Sequence, residues 1–144
     1  MGLIHHLEKD ADLALFSGEI QLLVAALYRN ERPLYGLAGL LDWRFRGLIS
    51  DYIRSGFFSG EAGECIYLPL IHNDLFYHIM LLGVGDTDRP GTRKMVTQHP
   101  LQILHKNLVS LRNSRVAVSR TDFGNANDNF FSENLPEVPL WIVH

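Results

Sequence analysis

Runs of apolar residues, bounded by glycine, proline or asparagine, divide the chain into short segments. Ile20–Tyr28 is apolar at nearly every position, which is typical of a strand buried on both faces. Glu64–Ile71 and Phe76–Val84 are strand-like runs, and Asn73-Asp74 between them favours a hairpin turn. Pro69 lacks an N–H group, so it predicts an edge strand or a bulge. Two shorter apolar stretches, Val116–Ser119 and Leu140–Val143, predict two more strands. A third, Gly2–Leu7, predicts a short strand or an extended arm.

Two other segments show helical periodicity. From Ala38 to Arg54 the apolar residues fall on one helical face, so one continuous helix is predicted. Leucines from Leu101 to Leu111 predict a second helix, in which Pro100 either sits in the first turn or kinks a longer helix that starts near Thr92. Leu13–Phe16 is only a short apolar patch by this criterion. Thr121–Glu137 is rich in Asn, Asp, Ser and Gly, and it is predicted to be one long loop.

This order of elements predicts an α/β fold with a mixed central β-sheet flanked by helices. At least one connection must be a parallel crossover. The sequence contains no internal repeat and no linker-like segment, so residues 1–144 are predicted to form one domain.

Composition narrows the class of protein further. Of the 144 residues, 47% are hydrophobic and 20% charged, which excludes a disordered chain. The net charge of −3 argues against binding to nucleic acid. No apolar run is long enough to span a membrane, and no signal peptide is visible, so a cytoplasmic location is expected. The single cysteine, Cys65, cannot form an intramolecular disulfide.

Candidate chemistry is sparse. Gly83-Val84-Gly85 follows a predicted strand, but Asp88 stands where a dinucleotide fingerprint needs a third glycine. Asp86 and Asp88 would also repel a phosphate there. Of the seven histidines, His72 and His78 could face each other across the hairpin, but two ligands without a nearby thiolate or carboxylate make a weak metal site. The sequence has no G-x-S-x-G motif for a serine nucleophile. We therefore predict no catalytic residue, no metal ligand and no cofactor.

One continuous stretch of sequence says more about the fold and function than the spacing of the candidate site residues does. Residues 32–68 read RPLYGLAGLLDWRFRGLISDYIRSGFFSGEAGECIYL, and the later strand ends in Gly83-Val84-Gly85. This stretch resembles the amino-terminal domain of the leucyl (cytosol) aminopeptidase family. The resemblance implies a macro-domain-like, three-layer α/β fold. It also implies a non-catalytic chain, because the family's metal ions and peptide hydrolysis belong to the carboxy-terminal domain, which nothing here matches.

Two functions are weighed on this basis. The leading hypothesis is a non-catalytic, stand-alone protein-interaction or regulatory module. Its partner would be another protein, a second copy of the chain or a separate aminopeptidase catalytic subunit. Sheet edges near Pro69 and Leu140–Val143 are available for such an oligomer.

The alternative is a macro-like binder of a nucleotide or ADP-ribose type ligand. Its site would lie on loops at the carboxyl ends of the strands, with Gly83, Gly85, Asp86 and Asp122 as ligand-loop candidates. An acidic lining, to which Asp88 and Asp128 would also contribute, argues against a diphosphate there. DNA binding, which the family resemblance also suggests, is disfavoured by the net charge.

Overall fold

A six-stranded sheet forms the centre of the molecule, in a computed structural model that describes residues 3–144. Its strands lie in the order β1-β6-β5-β2-β4-β3, and every neighbouring pair is parallel except β3 and β4. The strands are β1 (Ile4–His6), β2 (Leu22–Leu27), β3 (Cys65–His72), β4 (Leu75–Gly83), β5 (Val116–Ser119) and β6 (Leu140–Val143). The predicted mixed α/β sheet is therefore confirmed.

Five helices cover the two faces of this sheet and complete three layers. They are α1 (Ala11–Phe16), α2 (Gly36–Arg44), α3 (Leu48–Arg54), α4 (Gln98–Leu108) and α5 (Asp128–Asn134). Alternate residues of β2 point to opposite faces, so Leu23 packs with α1, α2 and α3 while Leu22 packs with α4 and α5. All six residues of β2 are buried, as the unbroken apolar run predicted. No helix within residues 3–144 has the length and apolar character needed to cross a membrane.

The prediction of one helix from Ala38 to Arg54 is wrong. The segment forms two helices, because the backbone turns at Arg46 and Gly47, where φ is +58° and +81°. Asp42 stabilises this break, since its Oδ1 accepts a hydrogen bond from the Ser50 N–H group at 2.9 Å. The apolar spacing survives the break because both helices pack on the same side of the sheet.

Two other segments contain helices that the apolar pattern did not indicate. Leu13–Phe16 belongs to α1. The predicted loop Thr121–Glu137 contains a single 3₁₀ turn, Thr121–Phe123, followed by α5. Helix α5 begins after Asn127, whose side chain accepts a hydrogen bond from the Phe130 N–H group at 2.8 Å.

The remaining strands and helices are confirmed with small changes of boundary. The expectation that Leu140–Val143 is a sheet edge is wrong, because β6 pairs with both β1 and β5. Pro100 is buried in the first turn of α4, and β3, which contains Pro69, is an edge strand. The first strand begins at Ile4; Gly2, where the prediction began, lies outside the described residues.

Candidate functional site

The parallel strands all end at one edge of the sheet, where α/β folds hold their ligands. At the centre of this edge, the segment 87–96 lies across the end of β2. Asn30 holds its beginning through two hydrogen bonds: its Nδ2 donates to the Thr87 carbonyl, and its Oδ1 accepts from the Thr87 N–H group, both at 2.8 Å. The Gly91 N–H group donates to Glu31 Oε2 at 2.8 Å, and the Lys94 N–H group donates to the Tyr28 hydroxyl at 3.1 Å. The chain thus occupies its own strand-end crevice.

Arg93 is the central side chain of this segment. Its guanidinium lies over the Tyr28 ring at 5.1 Å from the centroid, and its Nη2 donates to the Tyr35 carbonyl at 2.7 Å. The same nitrogen is 3.1 Å from Oε1 of Glu31, a carboxylate with no exposed side-chain surface. Arg93 Nη1 has no hydrogen-bond partner within residues 3–144. A buried guanidinium, with one nitrogen free of hydrogen bonds within residues 3–144, therefore lies at the end of β2.

Asp122 lies beside this cluster and is buried. Its Oδ2 accepts from the Ala26 N–H group at 2.8 Å, and its Oδ1 accepts from the Leu37 N–H group at 3.2 Å. Burial raises the pKa of Asp122, while the nearby charge of Arg93 and the two N–H donors act in the opposite direction. The carboxyl thereby joins the end of β2 to the start of α2.

The other three ligand-loop candidates lie together, apart from Asp122. Gly83 ends β4, and the Gly85 carbonyl accepts a hydrogen bond from the Arg29 N–H group at 2.8 Å. Asp86 pairs with Arg29, with Nη2 and Oδ2 2.7 Å apart, and this hydrogen bond lowers the pKa of Asp86. The structure thus brings Gly85 and Asp86 to Arg29, and Gly83 lies just before them at the end of β4. Their role in ligand binding stays a prediction.

The carboxylates of this edge are paired with cations. Besides Asp86, Asp88 lies 2.6 Å from Lys94 Nζ, and Asp128 is hydrogen-bonded to Arg120. These bonds lower the pKa values of Asp88 and Asp128. The predicted acidic lining is therefore paired with neighbouring cations, and its effect on a diphosphate stays a prediction.

Hydrogen bonds and close packing explain the glycine-rich turn at residues 59–64, which belongs to the stretch that resembles the aminopeptidase family. Glu64 Oε1 accepts hydrogen bonds from the N–H groups of Ser59, Gly60 and Glu61 at 3.1, 2.8 and 2.9 Å. These bonds and that of the Ser59 hydroxyl outweigh partial burial and lower the pKa of Glu64. A Cβ on Gly60, at φ +99°, would come within 2.9 Å of the Arg29 backbone. The turn therefore fixes β3 against the end of β2 without needing a ligand.

Histidines and the cysteine form no further centre. His72 packs near Phe16 and Tyr77, while His78 bonds to the Tyr67 hydroxyl, so the two histidines do not face each other. Within residues 3–144 no group of three or more His, Cys, Asp or Glu side chains is placed to hold a metal ion. Burial raises the pKa of the Cys65 thiol to about 11.

Sequence reasoning missed Glu31 and Arg93, the two buried ions of the crevice. They lie 62 positions apart in the chain, and each looks like an ordinary loop charge. Glu31 follows the apolar run of β2 after a short polar step, which is the one local feature that places it near a strand end. Nothing local connects Arg93 with it.

A second unusual surface lies at the far end of the hairpin β3–β4. Ile71, Leu75 and Phe76 are 59%, 59% and 62% exposed. Phe76 lies opposite Ile71 in the ladder, so these two side chains share one face. We call these three residues the hairpin tip.

Comparisons with known proteins agree with this architecture. The chain matches no family model. It is 35% identical to a probable cytosol aminopeptidase of Synechococcus sp. (strain WH7803) over 63 residues, which are 44% of this chain and 13% of that protein. The chain therefore aligns with only a small part of its curated relative.

Solved structures extend the likeness to the whole fold. A tomato leucine aminopeptidase mutant matches 98% of the chain through 32% of its own length, with 17% identity and a TM-score of 0.57. The macrodomain of Thermus aquaticus DarG matches 98% of the chain and 97% of its own, with 12% identity and a TM-score of 0.63. Thermosipho africanus DarTG in complex with ADP-ribose matches 90% of the chain, with 14% identity and a TM-score of 0.59. The chain has a macrodomain-like α/β fold and resembles the amino-terminal region of leucine aminopeptidase.

Proposed function

We propose that this domain is a non-catalytic protein-binding module that docks its partner through the hairpin tip. The observation that carries the proposal is the exposure of Ile71, Leu75 and Phe76. Ile71 and Phe76 share one face, and Leu75, next to Phe76 in β4, points to the other, so the tip exposes apolar side chains on both faces. Exposed apolar surface often marks an interaction site. Asp74 in the turn is the one Asp, Glu, Lys or Arg residue between Ile71 and Phe76, which matches the low charge of interface cores.

The size of this patch favours a transient partner over a stable homodimer. Three large side chains about 60% exposed present roughly 350 Å² of surface, given about 200 Å² for each large side chain. A standard interface buries about 800 Å² on each partner. The patch therefore suits the centre of a weak interface, and an aminopeptidase that carries a catalytic domain is the partner we propose.

The contents of the crevice bear on the second candidate function, nucleotide binding. A ligand that enters at the end of β2 would meet Arg93, its partner Glu31 and segment 87–96. ADP-ribose binding remains the second candidate, because a structural relative is described in complex with that ligand. Calorimetric titration with ADP-ribose separates the two functions. We expect no heat at millimolar ligand, and saturable binding would favour the second candidate.

Two measurements test the leading proposal. The purified domain should not hydrolyse Leu-p-nitroanilide with Mn²⁺ or Zn²⁺, and chelator-sensitive turnover would contradict a non-catalytic role. Biolayer interferometry with purified Synechococcus cytosol aminopeptidase should show micromolar binding. Phe76→Ser should weaken it about tenfold, since a central apolar anchor is worth more than about 1 kcal/mol.

A matched control separates the hairpin tip from other exposed aromatics. Phe57→Ser removes a side chain that is similarly exposed but lies beyond α3, so binding should stay unchanged. Equal loss in both variants, or no binding of the aminopeptidase, would overturn the proposed partner. A dimer mass in light scattering that Phe76→Ser abolishes would instead assign the tip to a second copy of the chain.

A further inference from the structure

A pocket of about 440 Å³ lies at the opposite edge of the sheet from the filled crevice. It opens near the amino-terminal ends of β2 and β4, between the hairpin and the end of α4. Its lining residues come from the strands and from the turns around α4, among them Gln21, Leu22, Tyr67, Met80, Asn107 and Ser110. The volume falls within the range of small-molecule sites.

The floor of the pocket is apolar and its rim is polar. Leu22 and Met80 are buried, and Leu111 completes the floor. No Asp, Glu, Lys or Arg side chain lines it. An ion bound here would lose its hydration without gaining a partner of opposite charge, so the lining favours a neutral ligand.

The rim offers one oriented donor and one oriented acceptor. Gln21 Oε1 already accepts a hydrogen bond from the Arg115 N–H group at 2.9 Å, which leaves its Nε2 as a donor. Asn107 Nδ2 already donates to the Ile103 carbonyl at 2.8 Å, which leaves its Oδ1 as an acceptor. Within residues 3–144 neither remaining amide end has a hydrogen-bond partner. The internal bonds therefore fix two complementary groups of the kind that an amide recognises.

The wall of the pocket is a preformed aromatic pair. The rings of Tyr67 and His78 are 12° from parallel with centroids 5.5 Å apart, and the Tyr67 hydroxyl is hydrogen-bonded to His78 Nδ1. Tyr67 is half exposed. A ring held in this way presents a flat surface against which a planar ligand can pack at little cost in side-chain entropy.

We propose that this pocket binds a small, uncharged aromatic molecule that carries an amide or an equivalent donor–acceptor group. The ring packs against Tyr67 and Met80, while the polar group meets Gln21 Nε2 and Asn107 Oδ1. The site lies away from the crevice at the end of β2, and its wall residue His78 is on the same face of the sheet as Phe76, two residues earlier in β4.

Three probes of similar size test the proposed chemistry. Benzamide has the ring and the amide, benzoate replaces the amide by a charge, and cyclohexanecarboxamide keeps the amide without the aromatic ring. Titration of the ¹⁵N-labelled domain should give saturable shifts with benzamide at millimolar concentration, centred on Leu22, Tyr67 and Asn107. Benzoate and cyclohexanecarboxamide should each bind at least about tenfold more weakly, because each lacks one recognised feature. Equal affinity of all three, or no saturable shift up to about 10 mM benzamide, would overturn the proposal.

Two tryptophan variants locate the binding. Ser110→Trp places a large side chain at the rim and should abolish the benzamide shifts. Ser132→Trp, at an exposed position of α5, is the matched control and should leave them unchanged. A dispersed spectrum verifies that each variant is folded. Binding that survives Ser110→Trp would refute this pocket.

Discussion

Gly36 is the position at which the packing around Arg93 is tightest. Its φ is +65°, and a Cβ there would lie 2.6 Å from Arg93 Nη2 and 2.9 Å from Asp122 Oδ1. Gly18 has a similar φ of +80°, but a Cβ added there would have no atom within 4 Å, leaving out its two chain neighbours. This pair of glycines separates the cost of backbone strain from the cost of crowding.

We predict that Gly36→Ala destabilises the domain more than Gly18→Ala. Gly18→Ala should cost about 1 kcal/mol for the left-handed backbone alone. Gly36→Ala should add about 1–3 kcal/mol, because Arg93 or Asp122 must move from its partners. Urea denaturation of both variants measures the difference in the free energy of unfolding. Equal midpoints would mean that Arg93 yields freely and that the crevice is loosely filled.

Cys65 should be chemically inert in the folded domain. With its pKa raised to about 11, about one thousandth of the thiol is ionised at pH 8, and the thiolate is the reactive form. Folding holds the proton, so stability should fall as pH rises from about 8.5 through 11. Reaction with Ellman's reagent at pH 8 should be slow in buffer and fast in urea. Rapid labelling of the native domain would contradict the burial of this thiol.

Among the helices and strands, the sequence predicted those that depend on the burial of apolar residues. It missed the helix boundaries that depend on local caps and turns. The unbroken run of β2 and the hairpin β3–β4 were predictable, because both depend on apolar patterning and turn residues. The break at Gly47 was not, since the apolar spacing continues through it. Helix α5 was missed because its polar sequence resembles a loop, and its main local signal is the capping side chain of Asn127.

Helix α5 should therefore depend on this cap. Asn127→Ala removes the acceptor for the Phe130 N–H group and should lower the free energy of unfolding by about 1 kcal/mol. Asn129→Ala changes an exposed position inside the same helix and should have little effect. Chemical denaturation followed by circular dichroism compares the two variants. An equal effect would show that Phe131, buried beneath the helix, rather than its cap, determines α5.

At the scale of the whole molecule, the contents of the crevice were beyond sequence reasoning. The strand-end position of Gly83, Gly85 and Asp86 follows from the end of β4, which the apolar pattern shows. The cluster of Glu31, Arg93 and Asp122 requires three distant segments to meet, and only the folded sheet brings them together. Charges paired over such distances carry no periodic signal.

The contacts of segment 87–96 predict that this segment is less stable against local opening than strand β2. Segment 87–96 is tied to the end of β2 through the side chains of Asn30, Glu31 and Tyr28, whereas β2 itself is paired on both sides by backbone ladders. A unit held by a few side-chain bonds opens more readily than a central strand. The segment should therefore open while the sheet remains intact.

Tyr28→Phe tests whether segment 87–96 opens before the sheet, because the substitution removes only the hydroxyl group of Tyr28. It removes the hydroxyl that accepts the Lys94 N–H group, and the loss of about 1 kcal/mol should accelerate exchange of the Lys94 amide about fivefold. Exchange of Val24 and Ala25 in β2 should stay unchanged. Tyr52→Phe is the matched control, because its hydroxyl has no hydrogen-bond partner within residues 3–144. If Tyr28→Phe accelerates exchange in β2 to the same degree, the segment opens only when the whole sheet unfolds, and the crevice is then a permanent part of the core.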